Sequence, residues 1–114
     1  MDKIAHYQAV IKKVFAEYAE SRTPSTGFNP GYQLIFDDPN CHYLLYRTSW
    51  RDEFRRAHYC VFHADIINDK IWIQEDATDF NLAGELEAHG ITKQEIVLAF
   101  VAPYKRPYSD YAAS

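Results

Sequence analysis

Glycine is scarce in this chain, with four in 114 residues. Cradling a phosphate with backbone amides takes a glycine-rich loop ahead of a helix, and no such loop is present. No serine sits in a Gly-x-Ser-x-Gly turn either, which excludes the hydrolase elbow. Cysteine is as sparse: Cys41 and Cys60 are the only two. Two are too few for a zinc site made of cysteines alone, or for a disulfide framework. Positive charge is in deficit, with 12 Lys and Arg against 16 Asp and Glu and a net charge of -4. Proteins that coat DNA by themselves draw their affinity from Lys and Arg on phosphates, and the net charge argues against that class. Long apolar runs are missing too. None approaches the ~20 residues of a membrane-spanning helix, and charges interrupt the start, MDKIAHYQAVIKK, so no signal peptide is expected. The expected setting is a reducing cytoplasm with both thiols free.

What the chain has is aromatic mass. Nine Tyr, seven Phe and two Trp make up 16% of it. A single domain over residues 1–114 is expected, and one of this size buries about two thirds of its unfolded surface. Buried tyrosines need partners for their hydroxyls, so many should lie at the core edge or in an interface.

Ile4, Tyr7, Ile11, Val14 and Tyr18 recur at helical steps and predict a helix from about Lys3 to Ser21, with Asp2 as its cap. Ser21 to Gly31 reads as a connection. Strands are expected at Tyr32–Phe36, Cys41–Trp50, His58–Ile67 and Lys70–Gln74. They are joined by the DDPN turn at 37–40, a polar loop at Arg51–Arg56 and a tight Asn68-Asp69 turn. Thr78 or Asp79 should cap a second helix running to His89, with Gly90 as its left-handed stop. Thr92 to Glu95 is a capping-box pattern. Ile96–Val101 should be a strand covered on both faces. From about Pro103 the tail should be extended or partly ordered. The fold class is α+β: an antiparallel sheet made of a four-strand meander and a C-terminal strand, with two helices.

His58, Cys60 and His63 suggest a metal cluster. Under strict alternation His63 points away from the other two, so a site would need Cys41, His42 or a second chain. No metal, cofactor or catalytic residue is therefore expected. His63 and Asp65 do share a face, and Glu75 lies at the end of the hairpin partner. A carboxylate beside a histidine can orient it for general-base work. A nuclease of the restriction type would want a lysine two residues after its carboxylate, and Glu75 is followed by Asp76-Ala77.

The Arg51–Arg56 loop is the better binding candidate. Arg51, Arg55 and Arg56 can pair with carboxylates or phosphates, beside the aromatic anchors Trp50 and Phe54. Aromatic residues and arginine dominate protein interfaces. By contrast, from Glu75 to Glu95 six acids stand against Lys93 alone, a distribution that fits either ordinary solvated faces or a molecule of two-sided charge.

Several segments together resemble the XisI family, cyanobacterial proteins named as controlling factors for excision of the fdxN element. They are HYQAVIKKVFAEYA near the start, HADI at 63–66, KIWIQEDATD from Lys70, GELEAHGI from Gly84 and IVLAFVAP from Ile96. Arg106-Pro107 and the aromatic tail to Tyr111-Ala112 belong to the same pattern. Family members often carry a histidine after LAF, where this chain has Val101-Ala102-Pro103. The resemblance implies a non-enzymatic accessory to a programmed DNA rearrangement, acting with a XisH-like partner and a separate recombinase. It assigns no catalytic residue. DNA would be met weakly or only through partners, and a homodimer is plausible from the aromatic excess and open strand edges. The alternatives are a subunit of a metal-dependent nuclease or a direct DNA-binding regulator.

Overall fold

A computed structural model of the chain describes residues 2–22 and 31–114. Most of the connection expected between Ser21 and Gly31, residues 23–30, lies outside them. Helix α1 spans Lys3–Ser21, and the Asp2 carboxylate accepts from the Ile4 amide at 3.0 Å. Its buried stripe is Tyr7, Val10, Ile11, Val14, Phe15 and Tyr18.

That stripe packs on a five-stranded sheet in sequential order: β1 (Tyr32–Asp37), β2 (His42–Trp50), β3 (Arg56–Ile67), β4 (Lys70–Asp76) and β5 (Ile96–Leu98). Strands β1 to β4 pair antiparallel, as expected of a meander, whereas β5 runs parallel to β4. The parallel pairing follows from the crossover through the second helix, since a parallel neighbour needs a long connection. The tight turn at Asn68 and Asp69 has φ of 52° and 61°, the positive values such a hairpin demands.

The core is aromatic. Phe62 lies 5.3 Å from Phe15 and 4.8 Å from Tyr18, and Tyr18 lies 5.1 Å from Phe80, ring centre to ring centre. The tyrosines reach partners at its edge, as their hydroxyls require. Tyr7 donates to Glu95, Tyr43 to Asp38 at 2.8 Å and Tyr111 to Glu87 at 2.8 Å. Burial is the main cause that pushes all three phenols above their ordinary range.

Several boundaries differ from expectation: β3 starts at Arg56, two residues before His58, and β4 runs past Gln74 to Asp76. Helix α2 covers only Leu82–Ala88 and is capped by Asn81, not by Thr78 or Asp79. The reason lies at the end of β4. There Asp76 accepts from Thr78 N, Thr78 Oγ1 and Leu82 N, so residues 77–81 become a bracketed turn before the helix starts. Gly90 (φ 93°) stops the helix as expected, with Ile91 N bonding back to Leu86 O, and the Thr92–Glu95 capping box forms. The apolar run after Glu95 is strand only to Leu98, and Phe100 is 55% exposed. The tail is not extended. Pro103–Tyr108 is a 3-10 helix, tied by Arg106 Nε to Val101 O at 2.9 Å and by a second guanidinium nitrogen to Ala99 O at 3.1 Å. Ala112 then returns to donate to Ile96 O at 2.9 Å and bridges Val97, covering the sheet edge. Among the described residues no helix is long and apolar enough to cross a membrane.

Candidate functional site

The helices share one hydrophobic core with Tyr43, Leu45, Phe62, Ala64, Ile66, Ile71 and Ile73, which defines the inner face of the sheet. Polar chemistry collects on the outer face. The ladders on both sides of β3 shift register there, at Val61 against β2 and at Gln74 of β4, and the first shift organises this chemistry. The β2–β3 ladder runs from Trp50↔Arg56 to Tyr46↔Cys60 and resumes at Leu45↔Phe62. Val61 has no partner on β2, so it is a β-bulge in that ladder, while its carbonyl accepts from Ala77 N at 3.0 Å.

The bulge corrects the expected alternation of β3. Residues directly opposite each other share a face. Cys60 therefore follows Tyr46 outward, while Phe62 follows Leu45 into the core. His58 is outward as well, stacked edge-on to the Tyr46 ring at 5.0 Å. His58, Cys60 and His63 thus lie on one face, where strict alternation would have split them. They do not converge on one point. A depression of about 470 Å³ lies there, lined by Leu44, Cys60, His63, Gln74 and Glu75 among others.

What does converge is His42, His63 and Asp65. Counted from Trp50↔Arg56, an unbroken ladder would set Ala64 opposite His42 on the outer face and turn Asp65 inward. The extra residue moves its partner to Asp65. His42 Nδ1 then lies 2.8 Å from Asp65 Oδ1, and His63 Nε2, two residues along the same strand, lies 3.0 Å from the same oxygen. Asp65 is 7% exposed and is the one buried charged residue among those described. Its carboxylate is held by two imidazole N–H donors, which fixes the tautomer or charge state of both rings while the bonds persist. His63 and Asp65 were expected together. His42 was foreseen only as a possible ligand beside Cys60, because its partner on β3 depends on the bulge.

Glu75 stands opposite His63 in the β3–β4 ladder but outside this group. Burial, and then the Glu75 charge, push the Cys60 thiol up, the reverse of what a reactive thiolate needs. Asp76 is spent on the turn before α2.

The arginine loop is a separate feature at the far end of the β2–β3 hairpin. Arg56 belongs to β3, where it closes the ladder against Trp50, so the loop proper is 51–55. It is held in shape by Arg51 N to Arg55 O at 2.7 Å and by Asp52 accepting from the amides of Phe54 and Arg55. The Arg56 guanidinium lies over the Trp50 ring at 5.3 Å. Phe54 is 86% exposed and Trp50 55%.

A family model described as XisI protein matches residues 1–113. The crystal structure of a XisI-like protein from Anabaena variabilis is 37% identical and superposes with a TM-score of 0.86, over 97% of this chain and 99% of that one. The crystal structure of fdxN element excision controlling factor XisI from the same organism is 31% identical, with a TM-score of 0.82 over 99% of this chain and 100% of that one. No curated protein matches.

Proposed function

The chain belongs to the XisI family, and from that membership we propose that it is a controlling factor in programmed DNA element excision of the fdxN type. It acts as a non-enzymatic accessory. It binds a XisH-like protein, while a separate recombinase cuts and rejoins the DNA. Family membership and the likeness to a structure named as an excision controlling factor support the process. Net charge of -4 favours protein contacts over a direct grip on DNA.

The observation that carries the protein-binding reading is the hairpin end. Exposed Phe54 and Trp50 stand among Arg51, Arg55 and Arg56 on a loop already ordered by its own hydrogen bonds. Pre-ordering lowers the entropy cost of docking, and aromatic-plus-arginine patches are the usual hot spots. The complementary partner surface is acidic with an apolar pocket. Co-expression with a XisH-like protein tests this. A complex should form with the wild type, and Trp50→Ala plus Phe54→Ala should weaken it at least ~10-fold, the effect of losing about 1.4 kcal/mol. No complex with the wild type would remove the partner. A complex indifferent to the double variant would remove the loop.

A further inference from the structure

The geometry points to a metal site on the outer face of the sheet: His42, His63 and Asp65 bind one late first-row divalent transition ion, of which Zn²⁺ is the representative. Their three ligand atoms, two ring nitrogens and a carboxylate oxygen, lie within 4.8 Å of one another. An ion with bonds of about 2.0–2.2 Å holds neighbouring ligand atoms roughly 3 Å or a little more apart. Two of the three separations here, 2.8 and 3.0 Å, already match. The third closes by turning the His42 ring, whose side chain is 54% exposed.

The donor set selects the class of ion. Imidazole nitrogens suit Zn, Ni, Co and Cu, whereas Mg and Ca prefer all-oxygen shells. The charge is also right. Asp65 is a buried carboxylate whose hydrogen-bond partners are two imidazoles, and a divalent cation compensates it better than two neutral N–H groups do. Binding replaces the two N–H donors at Oδ1. Each neutral ring then carries its proton on its other nitrogen, His42 on Nε2 and His63 on Nδ1, so protons and charge balance without an outside acceptor. Three protein donors on one side leave the remaining coordination positions open. His63 also lines the depression that continues toward Cys60 and Gln74, so a water or a partner's side chain can complete the shell.

The Val61 bulge is what assembles this set. It turns His63 and Asp65 onto the face that His42 already occupies, and the ladder then makes His42 and Asp65 direct neighbours.

The test uses the tag-free, chelator-treated full chain, titrated with Zn²⁺ by calorimetry and with Co²⁺ by visible absorption. One ion per chain is expected, with a dissociation constant on the order of micromolar or tighter. His42→Ala and His63→Ala should each weaken binding by more than about 100-fold, beyond the ~10–100-fold that outer-shell groups carry. His6→Ala and His58→Ala should leave it unchanged, and excess Mg²⁺ should not compete. Because His42 is largely exposed, its variant should stay folded. In the wild type, imidazole nitrogen NMR gives a second reading, with shifts on addition of Zn²⁺ expected at His42 Nδ1 and His63 Nε2. Absence of Zn²⁺ binding by the wild type would overturn the site, as would binding that survives both single-histidine variants or perturbs other rings.

Discussion

His42 and Asp65 face each other across the β2–β3 ladder, Nδ1 to Oδ1 at 2.8 Å, because Val61 bulges out of β3 between them and the hairpin loop. The pair is asymmetric in exposure. Asp65 is buried, whereas most of the His42 side chain meets solvent.

That asymmetry predicts unequal costs of truncation. Asp65→Ala removes the shared acceptor and leaves half-buried His63 without its partner. A loss of about 1–3 kcal/mol is expected. His42→Ala leaves Asp65 with His63, and should cost less than about 1 kcal/mol. Urea unfolding checks both, read as a shift in midpoint at constant slope.

Tyr7 predicts an acid effect. Its hydroxyl donates to Glu95 and, ahead of the amide and hydroxyl of Thr92, holds that carboxyl below its ordinary value of 4.5. A carboxyl depressed in the folded state binds fewer protons than the unfolded chain does. Its stabilisation is therefore full above about pH 4.5 and is lost as pH falls through the depressed value. Tyr7→Phe should cost about 1 kcal/mol near neutrality, discounted because Glu95 is partly solvated. The two stability curves should converge in acid. Thermal unfolding from pH 7 to 3 measures this, and curves that stay parallel would refute the link.

Asp76 predicts a local effect. It is the acceptor for Leu82 N at 2.9 Å as well as for both donors of Thr78. Asp76→Ala should destabilise by about 1–2 kcal/mol, the range of a lost helix cap. Amide exchange should quicken across Leu82–Ala88 while the β2–β3 ladder keeps its protection. Uniform quickening would mean that the turn is part of the global unfolding unit instead.

Much of the fold is legible because its signals are local. The stripe from Ile4 to Tyr18 defines α1 to the residue at both ends. Asn68-Asp69, Gly90 and the Thr92–Glu95 box each act within a few residues, and each does what its chemistry demands. The misread parts are those where a distant group intervenes. α2 starts late because Asp76, from another element, occupies the amide of its first residue. β5 stops at Leu98, and beyond it Arg106 takes the carbonyls of Ala99 and Val101 from the far side of the tail. Of the candidate sites, the arginine loop was visible in composition, though Arg56 proved to be strand. His63 and Asp65 were visible as an i, i+2 pair, but Glu75 stayed outside and His42 had no local signal.

By itself the sequence determined α1, the tight turns, the meander and the family, since periodicity, caps and turn residues act through nearest neighbours along the chain. Only the tertiary structure decided which side chains meet on the outer face. One residue skipped by the β2 ladder, Val61, reverses the face on which every later β3 residue lies, and its position follows from packing two strands over a common core.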